Sequence, residues 1–216
     1  METSAGLPNL LQKILLTCGI FAPLLYLGMD LLAGKLLQGY SFSAQSMSEL
    51  GAAGSPTRPL VIGLTLAASA FMIVFGAGVW RVAGTAVLPR IVAGLICGNA
   101  LAGLVATLFF PNRFGVRPEF GTPGVLLMFF SVLCFMLAMV CGAAAFGGWM
   151  RILSIAIPTA YILLAVLRFA TAASSAAGAT GLIGAQERTM AYSFLLWTLA
   201  LAIYLLFAKQ LSRKML

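Results

Sequence analysis

The sequence contains no histidine and only five acidic residues in 216 positions. Without imidazole there is no histidine ligand for haem or zinc, no Ser-His-Asp triad and no histidine proton relay. Charged residues of both signs make up 8% of the chain, against 62% hydrophobic. A soluble domain carries about a quarter charged residues. So few charges cannot coat a water-facing surface of this size, and the apolar side chains must face a bilayer. The mean hydropathy of +1.05 points the same way.

Four cysteines are present, Cys18, Cys97, Cys134 and Cys141. All lie in apolar stretches without metal-ligand spacing, so they read as small packing residues. No metal or cofactor is expected. The formal net charge is +8, which in a soluble protein would suggest nucleic acid. Here the cations are scattered singly until the last six residues. They read as topology determinants and headgroup anchors, with membrane lipids rather than nucleic acid as partners. Residues 1–8 carry no basic residue, so the first apolar run is expected to stay as a span rather than be cleaved.

The fold expected is all-α: one transmembrane domain over residues 1–216, a bundle of six helices. The spans fall at about 11–32, 60–80, 88–110, 125–146, 151–170 and 190–208. Pro23 lies within the first. Pro111 stops the third, and Gly147–Gly148 break the fourth. The small-residue stretch 170–181 either extends the fifth span or forms a pliable loop. The connections around 33–59, 111–124 and 171–189 are long and share one side of the membrane. Both termini share the other side with the two short connections.

The termini side holds Lys13, Arg81, Arg90, Arg151, Lys209, Arg213 and Lys214, seven of the thirteen cations. The long-loop side holds Lys35, Arg58, Arg113, Arg117, Arg168 and Arg188, together with four of the five acids. The short-loop side is denser in basic residues, which places both termini in the cytoplasm.

The connection around 33–59 is the most informative stretch. Ser46-x-x-Glu49 has the form of a capping box that opens a short interfacial helix. Ser55 is expected to cap the second span, with Pro56 at its first helical position. The competing reading is a lid that places Glu49 and the neighbouring hydroxyls in a polar pocket. Before the last span, Glu187 and Arg188 either serve the helix terminus and the headgroups or pair with the earlier loop, as Glu49–Arg188 or Glu187–Arg58. Asp30, Asn99 and Arg168 sit in or near spans and must face the bundle or the interface. Asp30 and Arg168 are a possible pair, and Asn99 reads as hydrogen-bonding glue between helices. Arg113 and Arg117, after Pro111, are either snorkelling anchors or holders of a lipid phosphate.

The run Tyr40-Ser-Phe-Ser, Ser46-Met-Ser48-Glu49-Leu50-Gly51 and Gly54-Ser55-Pro56-Thr57-Arg58-Pro59 resembles the signature of domain-of-unknown-function family 998. That is a prokaryotic family of six-span membrane proteins. Pro23 in the first span, Phe110-Pro111, and Glu187-Arg188 before the last span agree with it. The resemblance implies that Glu49, Arg58 and Arg188 are signature positions. It assigns no reaction. Members of that family often carry a histidine soon after the Phe-Pro, at the start of the fourth span, where this chain has Gly121-Thr122-Pro123-Gly124.

The ligand-binding set expected is Tyr40, Ser46, Ser48, Glu49, Arg58, Arg113, Glu187 and Arg188, with no catalytic set. The first functional expectation is binding or transport of a lipid or small amphiphile at this polar site on the non-cytoplasmic side of the plasma (inner) membrane. The second is an accessory or assembly subunit that docks another membrane protein or a second copy of itself. The third is an intramembrane lipid-modifying enzyme using Glu49.

Overall fold

A computed structural model describes residues 10–115, 121–174 and 182–214. Among the described residues the chain is all-helical: α1 (Leu10–Leu36), α2 (Met47–Leu50), α3 (Arg58–Ala83), α4 (Val87–Phe109), α5 (Pro123–Ala145), α6 (Gly148–Ser174) and α7 (Ile183–Lys214). Five of these, α1, α3, α4, α5 and α7, are long and apolar enough to cross a bilayer. The apolar part of α6 that is described, Gly148–Leu164, is shorter. The six long helices pack on one another in chain order, and α7 returns to α1 to close the ring.

Small residues set how closely the helices approach. Gly19 of α1 faces the Phe75 ring and Gly78 of α3 faces Leu15, so that a methyl at either position would collide. Such residues let backbones come together where apolar burial offers no drive against lipid. Leu16, Phe75, Ile96, Met139, Trp197 and Leu201 fill the centre of the ring without exposure. The Trp197 indole N–H donates to Ser154 Oγ at 2.9 Å, which joins α7 to α6 and satisfies the buried donor. Asn99 Nδ2 donates to the Ser131 carbonyl and hydroxyl at 2.9 and 2.8 Å, joining α4 to α5. Of the glycines around Asn99, Gly98 faces Cys134 across this contact, whereas Gly94 and Gly103 face open space.

Of the boundaries that differ from the sequence reading, three shape the polar end. The last helix begins at Ile183 rather than near 190. A Glu-Arg pair in a weakly apolar stretch reads as loop, yet here both residues continue the helix. The first helix runs on to Leu36, which places Asp30 well inside it. The helix after the polar loop begins at Arg58, with Thr57 rather than Ser55 at its N-cap position. Ser55 instead accepts the Arg58 N–H at its carbonyl (3.2 Å), and its hydroxyl pairs with Thr57 Oγ1 at 2.9 Å. The extra turn lets Thr57 donate to the Leu50 carbonyl at 2.8 Å.

Candidate functional site

The polar residues collect where α1 ends, α7 begins and the connection between α1 and α3 folds over both. Asp30 is fully buried and Arg188 is 7% exposed. They meet in a two-pronged ion pair, with Arg188 Nε and Nη2 donating to the two Asp30 oxygens at 2.8 Å each. Arg188 Nη2 also donates to the Tyr40 hydroxyl at 2.6 Å. Its Nη1 donates to the carbonyls of Phe42 (2.6 Å), Gln45 (3.1 Å) and Gly184 (3.3 Å). A guanidinium has five N–H donors, and these acceptors engage all of them. The rings of Phe42 and Tyr40 lie against the guanidinium carbon at 4.8 and 5.4 Å. Tyr192, one turn beyond Arg188, donates its hydroxyl to Asp30.

The loop is therefore wound around one cation. Tyr40 accepts from Arg188 and donates to the Ser46 carbonyl at 2.8 Å. Burial pushes the Tyr40 hydroxyl up to about 12, against the pull of Arg188. At neutral pH it therefore keeps its proton and donates. Gly184 matters for a steric reason: a Cβ there would overlap the Gln45 and Phe42 carbonyl oxygens. The Ala185 N–H donates to the Ser43 carbonyl at 3.0 Å, a second tie between α7 and the loop.

A model of the family described as protein of unknown function (DUF998) matches residues 20–204. The chain belongs to this family. The matched span contains the whole cluster, from Asp30 to Tyr192. No curated protein and no solved structure matches the chain.

The other expected residues of this DUF998 chain make their contacts within the loop and with its neighbours rather than with the ion pair itself. Glu187 accepts the Met47 N–H at 2.8 Å and so caps α2 from another helix. Ser46 and Glu49 form the capping box, with Glu49 accepting the Ser46 N–H at 3.5 Å and the Gln45 side-chain amide at 3.0 Å. Ser48 is exposed, and its hydroxyl pairs with Ser46 Oγ (2.7 Å) and with Asn112 Nδ2 (3.2 Å). Arg58 donates to the Gly51 carbonyl and to the Thr107 carbonyl (3.5 Å), linking the end of α2 to α4. Arg113 is exposed, and the segment around it pairs with Ala53: Ala53 N–H donates to Asn112 O at 2.7 Å, and Phe114 N–H to Ala53 O at 3.1 Å.

The specific pairings expected from the sequence are corrected. Arg188 pairs with Asp30 rather than Glu49, and Glu187 meets Met47 rather than Arg58. Asp30 takes Arg188; the expected Asp30–Arg168 pair involves a side chain that, like all of Arg117, lies outside the described residues. The long connections are nevertheless tied together, through backbone carbonyls more than through charges. Sequence reasoning missed Tyr192, Phe42, Gln45 and Asn112. A signal existed for the first: Gly184, Arg188 and Tyr192 follow one another every four residues, which is one face of a helix that starts before 190.

Among the described residues, no three of the His, Cys, Asp and Glu side chains group as metal ligands would. Asp30, Glu49 and Glu187, the described carboxylates, are each held by donors from the chain.

Proposed function

We propose that this DUF998 chain is a six-span protein of the prokaryotic plasma membrane, with α6 as the remaining span and both termini cytoplasmic. In this reading it serves as an assembly or accessory subunit that docks a helix of another membrane protein against α6. The supporting observation is the outer face of α6. Ile152, Ile155, Ala156, Thr159, Ala160 and Leu163 line an open apolar groove of about 420 Å³. These positions recur at steps of three and four, so they form one stripe along the helix. Ala156 and Ala160 hold the small-x-x-x-small spacing that lets another backbone approach. The Thr159 hydroxyl donates to the Ile155 carbonyl at 2.7 Å, so it leaves no unmet polar group in the groove.

The polar end supports a ligand less well than the sequence suggested. A phosphate bound there would compete for Arg188 with acceptors the chain already supplies. The expected residues other than Arg113 act, in this reading, as the frame that fixes α7 and the loop while α6 presents its face.

The test is purification from native membranes in a mild detergent, comparing wild type with Ala156→Leu and Ala160→Leu, which fill the groove. A stoichiometric membrane partner that wild type retains and the variants lose is the expected result. Disulfide formation between two copies of Thr159→Cys in the membrane would identify the partner as a second copy. A wild type that purifies without any partner, and without such a cross-link, would overturn the reading.

A further inference from the structure

The short turn between α3 and α4 carries charge that no carboxylate among the described residues answers. Arg81 lies in the last turn of α3 and Arg90 in the first turns of α4, which has no acidic residue in its first turn. Among the described residues the ion pair formed is Asp30–Arg188, and the described carboxylates Asp30, Glu49 and Glu187 belong to the opposite end. The Arg90 guanidinium carbon lies over the Trp80 ring at 5.2 Å from its centroid. Its Nε–H is shut off from solvent and has no hydrogen-bond acceptor. Trp80 is itself 49% exposed, and Val87 and Leu88 beside the turn are 68% and 40% exposed.

These features combine in one way. A tryptophan with one wet edge sits at the level of lipid headgroups. A guanidinium held over it is restricted in its rotation, and its terminal N–H groups suit the free oxygens of a phosphodiester. The exposed Val87 and Leu88 continue the surface towards the hydrocarbon.

We propose that the α3–α4 turn binds an anionic phospholipid of the termini-side leaflet. Arg90 and Arg81 hold its phosphate, Trp80 forms the wall beside it, and Val87 and Leu88 meet the start of its chains. The site is independent of the α6 groove and shares no residue with it.

The experiment is native mass spectrometry of the detergent-solubilised protein with equal amounts of phosphatidylglycerol and phosphatidylcholine. Wild type should retain phosphatidylglycerol in preference. Each cation near a charged surface contributes about 1 kcal/mol, so Arg81→Gln with Arg90→Gln should lower that preference about tenfold or more. Arg90→Gln alone should lower it by a smaller factor, and Arg113→Gln, at the other end, should leave it unchanged. Equal retention of the two lipids by wild type would overturn the proposal. So would a loss in Arg113→Gln as large as in the double variant. Inorganic phosphate that strips the lipid from wild type at millimolar concentration would mark a site for a free anion and overturn the assignment to a lipid.

Discussion

At the long-loop end Asp30, Glu49 and Glu187 each find donors inside the chain, whereas at the termini end Lys13, Arg81, Arg90 and Arg151 have no carboxylate among the described residues. The difference follows from where each charge sits. Asp30 and Arg188 are buried in the bundle, where an unpaired charge costs several kcal/mol. They must be matched by the fold. Arg81 and Arg90 lie at helix ends beside an exposed tryptophan, where water and headgroups are available. Charge matched within the chain builds the structure. Charge left unmatched at an interface is free to meet something else.

The first way to break the comparison is to remove one half of the buried pair. Asp30→Ala or Arg188→Ala leaves an uncompensated buried charge, and each should destabilise the fold by about 3–5 kcal/mol. Unfolding in mixed micelles measures it. The glutamine substitutions at Arg81 and Arg90 should fall within about 0.5 kcal/mol of wild type in the same assay, as surface changes do.

Steric access to the pair gives a smaller effect. Gly184→Ala places a methyl onto the carbonyls of Gln45 and Phe42, and should cost about 1–3 kcal/mol through forced backbone shifts.

The smallest effect sharpens the comparison through pH. The Tyr40 hydroxyl is raised from 10.0 to about 12, chiefly by burial. A raised value means that the folded state favours the protonated form. Its contribution is then fully present below about 10 and is lost as pH climbs from there towards about 12. Stability should therefore be insensitive to this group between pH 6 and about 8 (roughly two units clear of its titration). Tyr40→Phe should lower stability by about 1 kcal/mol and make the alkaline decline shallower.

How much of this was legible in the sequence varied with the range of the interaction. The membrane class and the apolar helices follow from local composition, as does the capping box of Ser46 and Glu49, whose partners are three residues apart. Asn99 was readable as glue because an amide inside a span has few other uses. The centre of the polar site was not legible in the same way. Asp30 and Arg188 are 158 positions apart, and one chain gives no signal that selects Arg188 as a match for Asp30. The start of α7 was misplaced for the same reason. Glu187 and Arg188 look water-exposed until their partners are known, and a boundary drawn by hydropathy stops short of them. Thr57 was passed over because Ser55 before Pro56 is the stronger local pattern, while the acceptor that draws Thr57 in, the Leu50 carbonyl, is a tertiary neighbour.

The central claim is that the polar end is held by one ion pair made within the chain. A double-mutant cycle tests it most directly, with Asp30→Leu, Arg188→Met and both together compared by unfolding in micelles. The account predicts large losses for the single variants and a double variant that recovers a substantial part of them, a coupling of about 2 kcal/mol or more. Single variants close to wild type, or losses that simply add in the double variant, would contradict it.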